Sequence, residues 1–219
     1  MSNNNFSFID HPDAIGDTTR FWFIRHAIVN EKDRSYLYGT KDVPICPTHL
    51  KKQQTYYQFL ANKLPKTQLW FITSLSRTRD TALQIQKAGY GSENLQVENA
   101  FLEQNLGAWQ GLSHVTVEKH RKFSAHPFWP FSAEETPPKG ENMNDVHQRV
   151  SCKMEEFSRI YTNKDIIVIS HGGAIRAALA YASKIPVNSA LSFAIYNLSI
   201  TLIEKIREHW HIITVNDMI

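Results

Sequence analysis

The stretch FWFIRHA, Phe21–Ala27, decides how the chain is read. A short run of aromatic and aliphatic residues is the pattern of a strand buried on both faces. This one ends on Arg25 and His26, two side chains that are costly to place at a strand's inner end. Two explanations stand open: the strand has reached the surface, or the pair faces something negatively charged.

Two more segments repeat the pattern, QLWFITS (Gln68–Ser74) and DIIVIS (Asp165–Ser170). Helical spacings lie around and between them. Residues 48–64 carry Leu50, Tyr57, Phe59 and Leu60, residues 77–87 follow the second strand, and residues 174–182 follow the third. In residues 144–161, Val146, Val150, Met154 and Phe157 recur at spacings of three and four, one helical face. Strands alternating with helices predict an α/β fold, a three-layer α/β/α arrangement with a mostly parallel central sheet and right-handed crossovers. SFAIYNLSITLIEKI (192–206) and HWHIITV (209–215) break that rhythm and predict a closing hairpin or edge strands, so the sheet is expected to be mixed.

The first residues, 1–19, are rich in Asn, Asp, Ser and Thr and lack periodicity, which predicts a flexible leader before a single domain over 20–219. Residues of about 110–140 form an inserted segment. A short helix is predicted near residues 115–123, followed by AHPFWPFSAEETPPKG (125–140), with four prolines and three large aromatics. A loop of that length is either a lid over a binding site or a hydrophobic flap on the core, and the two are compatible.

With 219 residues, 42% of them hydrophobic, the chain can bury a core of single-domain size. Its 24 Lys and Arg against 21 Asp and Glu leave +3. That bias is too weak to argue for a nucleic-acid or membrane-surface partner and leaves small anionic substrates open. Cys46 and Cys152 stand in no metal-ligand spacing and read as free thiols. The start lacks the basic head and apolar stretch of a signal peptide, and no apolar window reaches membrane-span length, so a cytoplasmic location is expected.

In a parallel sheet, ligand sites form at the carboxyl ends of the strands. The first strand ends in Arg25 and His26. The second runs into TSLSRTRDTA, which places Arg77 and Arg79 at a helix start. The third ends in SHGGAIR, where His171 precedes two glycines that let backbone N–H groups approach a ligand. Unpaired cations gathered together repel one another unless an anion joins them, and phosphate is the natural guest. A histidine ringed by arginines has its protonated form disfavoured by like charge, and stays neutral with a lone pair available for nucleophilic attack. The arginines would hold phosphoryl oxygens and offset charge during in-line transfer, which calls for no metal or cofactor. FLEQNLGAWQGL supplies Glu103; beside a phosphate dianion a carboxyl holds its proton, which makes Glu103 a candidate proton donor. A surface glutamate capping a turn fits the spacing equally well.

FIRHA, YGTKDVPI, TSLSRTRDTA, LEQNLGAWQGL, PPKGEN followed by VHQRV, and VISHGGAIRAAL occur in this order from about residue 20. Together they resemble the histidine phosphatase superfamily, also called phosphoglycerate mutase-like. The resemblance implies that His26 is the phosphorylated nucleophile, that Arg25 and Arg77 clamp the phosphate, that His171 contacts the phosphoryl group, and that Glu103 donates the proton. It also implies a backbone hydrogen bond at Gly172. The chain departs from the family pattern at Ala27, where glycine is usual and an added methyl is expected near the phosphate. Asn30 comes earlier than the usual asparagine and is a candidate substrate contact, while Tyr38 is expected at the pocket entrance. Gln104, Asn105 and Leu106 stand where cofactor-dependent phosphoglycerate mutases carry arginine, histidine and tyrosine. That favours a phosphatase for a small phosphorylated substrate, similar to α-ribazole phosphatases, acting as a monomer or homodimer. Mutase-type phosphoryl transfer and a catalytically weak phosphate-binding module are the alternatives.

Two other patterns carry less. SHGGA resembles the His-Gly-Gly oxyanion loop of esterases, but the chain has no G-x-S-x-G turn to present a serine. His209 and His211 share a face of the last strand, where alternating polar residues on an exposed strand explain them better than metal binding.

Overall fold

The computed structural model describes residues 18–219, so residues 1–17 of the expected leader lie outside the described residues. Along the chain run β1 (Thr18–Arg25), α1 (Glu31–Arg34), α2 (Pro47–Lys52), α3 (Gln54–Lys63), β2 (Trp70–Ile72), α4 (Ser76–Ile85) and β3 (Leu95–Val97). They are followed by α5 (His114–Glu118), α6 (Met143–Ile160), β4 (Asp165–Ser170), α7 (Gly172–Ser183), α8 (Val187–Ala190), β5 (Ile200–Ile206) and β6 (His209–Asp217). The six strands form one sheet in the order β3-β2-β4-β1-β5-β6. β1 to β4 are mutually parallel, while β5 runs antiparallel to both β1 and β6. The mixed, mostly parallel sheet expected from the alternation is what forms.

The period of two along each strand divides the core between two faces. Phe21 and Phe23 of β1 join Ile166 and Val168 of β4 on one face, packed against Val146, Val150 and Met154 of α6 and Ile175 of α7. Ile24, Ile167 and Ile169 point the other way, toward Tyr57 and Leu60 of α3 and Ile85 of α4. That partition gives the three layers. The start of α6 is fixed by a reciprocal cap: Asn142 accepts from the Asn144 and Asp145 N–H groups, and Asp145 accepts from the Asn142 N–H. A third, smaller cluster of Leu37, Leu106, Trp109, Val117 and Phe131 sits beneath residues 110–140.

Several boundaries differ from the sequence expectation. β1 begins at Thr18, inside the expected leader, because Thr18 and Thr19 pair with Ile206 and Lys205 of β5. The single helix expected over 48–64 is two, broken at Gln53, whose φ of −103° and ψ of 21° are not helical. α2 buries no residue, whereas α3 buries Tyr57, Leu60 and Ala61, so only the second half has an apolar face to hold it. α4 stops at Ile85 and passes into a wider turn over 86–90 that bends at Gly89, φ 126°. β3 has three residues, none of them buried, and left no apolar run to recognise.

The register delivers the site. Arg25 of β1 lies opposite Ser170 of β4, and the His26 N–H donates to the Ser170 carbonyl at 2.9 Å. His26 and His171 therefore leave adjacent parallel strands at the same level.

Candidate active site

At the end of β1 the His26 ring is buried, 1% exposed. Its Nδ1 lies 2.7 Å from the Ala27 carbonyl oxygen. A carbonyl only accepts, so Nδ1 carries the hydrogen, and a neutral ring then keeps its lone pair on Nε2. Burial is the largest cause holding the His26 pKa well below its ordinary value; repulsion from Arg77 and then Arg25 adds to it, and the Ala27 hydrogen bond opposes it. Like charge, expected from the sequence as the reason for neutrality, is the smaller cause. Desolvation comes first, and the arginines reinforce it.

His171 is fully buried with its ring centroid 5.1 Å from that of His26. Arg77 donates from Nε to His171 Nδ1 at 3.3 Å, which leaves Nε2 as the protonated nitrogen, 3.0 Å from Thr73 Oγ1. Burial again lowers the pKa most, followed by Arg77 and His26.

Arg77, in the first turn of α4, is fully buried and donates to the Lys41 and Gly39 carbonyls at 2.9 and 2.7 Å. Its guanidinium faces the Tyr38 ring at 5.3 Å. Among the described residues the Arg25 guanidinium makes one hydrogen bond, to the Ile195 carbonyl at 2.5 Å, and its buried Nε has no partner. Glu103 accepts from the Gln104 N–H at 3.0 Å and from the Gly173 N–H of α7 at 3.3 Å. Gly172 packs without a side chain against two arginines: a Cβ there would lie 3.5 Å from Arg25 Nε and 3.1 Å from Arg176 Nη1.

A cavity of about 310 Å³ opens onto Arg25 and Glu103, with Tyr38 in its wall. It stops short of His26. The Arg25 guanidinium, with a single hydrogen bond among the described residues, is less firmly held than that of Arg77.

The structure thus brings together His26, His171, Arg25, Arg77, Glu103, Gly172 and Tyr38. Asn30 stands apart from them. Its carbonyl accepts from the Asp33 and Arg34 N–H groups at the start of α1, and it is not among the residues lining the cavity. Arg79 is exposed and pairs with Asp80 at 3.3 Å. The Ala27 methyl, expected near the phosphate, belongs instead to the apolar cluster with Ile24 and Ile45. His211 is exposed and pairs with Glu204 at 3.1 Å.

Other residues of the site went unrecognised in the sequence. Arg176 donates to the Phe193 and Gly172 carbonyls at 2.9 and 3.2 Å and lies over the Trp129 ring at 4.7 Å. Burial, then Arg25, bring its pKa down to about 10. Its signal was present, since a residue four after Gly172 falls on the same helix face. Asn197 donates to the His26 carbonyl at 2.7 Å from 171 positions away, and no local pattern announces it. Arg149 of α6 supports the Glu103 segment by donating to the carbonyls of Ala100, Leu102 and Glu103 at 2.7, 2.9 and 3.1 Å.

The sequence profile described as histidine phosphatase superfamily (branch 1) matches residues 21–218. A 2,3-bisphosphoglycerate-dependent phosphoglycerate mutase of Rhizobium etli is 24% identical over 172 residues, 77% of this chain and 82% of its own. A broad-specificity phosphatase of Saccharomyces cerevisiae is 24% identical over 194 residues, 86% of this chain and 80% of its own. The crystal structure of a putative α-ribazole-5′-P phosphatase from Escherichia coli superposes with a TM-score of 0.75 at 19% identity, covering 91% of this chain and 96% of the other. Its fold is the one described above. With the profile spanning nearly the whole described chain, the protein belongs to the histidine phosphatase superfamily.

Proposed function

We propose that the protein is a phosphatase that hydrolyses a small-molecule phosphate monoester through a phosphohistidine on His26. The observation that carries this reading is the state of His26: neutral, with Nδ1 committed to the Ala27 carbonyl and Nε2 left with its lone pair beside two arginines. Nε2 attacks phosphorus, the bond from phosphorus to the ester oxygen breaks, and Glu103 gives its proton to the departing alkoxide. Water then attacks the phosphohistidine, Glu103 takes the water's proton, and the P–N bond breaks to release phosphate. Arg25 and Arg77 balance charge on the transferring group, with His171 beside them. Phosphatases among the relatives, in yeast and in Mycolicibacterium vanbaalenii, where the relative is a glucosyl-3-phosphoglycerate phosphatase, support hydrolysis.

The mutase relative keeps phosphoryl transfer between substrates as a second reading. Against it, Gln104 spends its amide N–H on the Glu141 carbonyl at 2.7 Å, and Leu106 sits in an apolar cluster. Neither offers the cation that a phosphoglycerate carboxylate would need.

Residues of about 110–140 act as a lid whose Trp129 and Phe131 wall the cavity. Cys46 and Cys152 are free, which suits a reducing cytoplasmic setting, and no helix among the described residues is long and apolar enough to cross a membrane. The enzyme acts as a monomer or homodimer without metal or cofactor. Turnover of 4-nitrophenyl phosphate in the presence of EDTA tests the proposal. Wild type should be active and His26→Ala reduced by at least about a thousandfold; equal turnover by both would refute it.

A further inference from the structure

The reaction above gives Arg176 nothing to do, yet its guanidinium is buried, 7% exposed, and held by three separate parts of the chain. Nε donates to the Phe193 carbonyl at 2.9 Å, Nη1 donates to the Gly172 carbonyl at 3.2 Å, and its central carbon lies over the Trp129 ring at 4.7 Å. A planar fork serves two carbonyls and an aromatic face at once, which a lysine ammonium cannot.

Each of these anchors leads to a group that acts on phosphate. The loop between α8 and β5 offers the Phe193 carbonyl to Arg176, the Ile195 carbonyl to Arg25 and the Asn197 side chain to the His26 carbonyl. Gly172 opens α7, and the N–H of the next residue, Gly173, donates to Glu103. Trp129 lines the cavity. Arg25 and Arg176 also meet at Gly172, where a Cβ would lie 3.5 Å from Arg25 Nε and 3.1 Å from Arg176 Nη1. Two cations so placed repel each other, and the loop carbonyls that hold them are neutral. The Arg25 guanidinium has its bond to Ile195 to set against that repulsion, so its place depends on where Arg176 and the loop are fixed.

We propose that Arg176 is a positioning residue for the phosphate clamp: it ties the start of α7 to the loop of residues 193–197 beneath Trp129, and so sets where Arg25 meets the phosphoryl group. The proposal rests on the phosphatase reading above, and Arg176 itself is outside the cavity lining. Competitive inhibition of 4-nitrophenyl phosphate turnover by inorganic phosphate tests it, because phosphate needs the clamp but not the space that holds the alcohol. Arg176→Lys keeps the charge and loses the fork, and Arg176→Leu loses both. With the circular dichroism spectrum kept, both should raise the phosphate inhibition constant and lower kcat/KM by at least about tenfold, the scale of a displaced binding group. Arg176→Lys within about twofold of wild type on both constants would show that the fork does not matter, and overturns the proposal. So does a fall in melting temperature with both constants unchanged. Where both variants lose the folded spectrum, Trp129→Leu decides: it should raise the phosphate inhibition constant at least about twofold by removing the aromatic face, and an unchanged constant overturns the proposal. Wild type without any turnover of 4-nitrophenyl phosphate overturns the phosphatase reading and the proposal with it.

Discussion

The backbone N–H of Gly173 donates to Oε2 of Glu103 at 3.3 Å, and a Cβ on that glycine would overlap Oε1 of the same carboxylate. The first turn of α7 thus holds the carboxylate of Glu103, the proposed proton donor, at Gly173, two residues after His171. Its N-terminal N–H groups suit a carboxylate or a phosphoryl oxygen equally.

Gly173→Ala should lower kcat on 4-nitrophenyl phosphate by about 10- to 100-fold, the range of a displaced acid–base group. The melting temperature should change little, since the atom displaced is the tip of a side chain. A large fall in melting temperature with kcat preserved would show that Glu103 is structural.

Ala27→Gly separates two accounts of that residue. With the methyl in the apolar cluster beside Ile24, the substitution should cost about 1–2 kcal/mol in urea unfolding and leave kcat within about twofold. A rise in kcat with stability unchanged would place the methyl against the phosphate.

His26 and His171 are neutral and buried in the folded protein, with pKa values well below the 6.5 of an unfolded chain. Above that pH neither state protonates them. As pH falls below it, the unfolded chain gains protons that the folded one refuses, so stability is lost. Each histidine adds a slope approaching about 1.4 kcal/mol per pH unit. His147, lowered by burial to a lesser degree, adds in the same direction. Urea unfolding between pH 7.5 and 5 should show this slope, and His26→Asn should reduce it by about one histidine's share. A flat profile in wild type would mean that the rings are protonated or solvated in the folded state.

Trp129 lines the cavity, lies over Arg176 at 4.7 Å and is half-buried. Trp129→Ala should raise KM by about tenfold while costing less than about 2 kcal/mol of stability, below the 3–5 typical of a fully buried aromatic. Lost stability with unchanged kinetics would make residues 125–140 packing alone.

The sheet was legible because Phe21–Ile24 and Ile166–Ile169 are short apolar runs that exist only where both faces are covered. Their ends were legible because cations stop such runs for a reason. What escaped was whatever depends on distance in space alone. Asn197 reaches His26 across 171 positions, Thr73 meets His171 across 98, and Arg25 and Arg176 are held by carbonyls of a loop with no motif. The main cause of the low histidine pKa values was hidden for the same reason, since the sequence displays the charges but not the burial. Asn30, near in sequence to His26, caps the start of α1 through its backbone carbonyl, a placement that no local pattern displays.

The most direct test of His26 as the phosphorylated nucleophile is to react the protein with ³²P-labelled 4-nitrophenyl phosphate, quench in alkali, and map the label. The account predicts one labelled peptide, containing His26, with a bond stable in alkali and lost in acid, and no label in His26→Ala. Turnover without any phosphohistidine, or with the phosphoryl group on another residue, would contradict it.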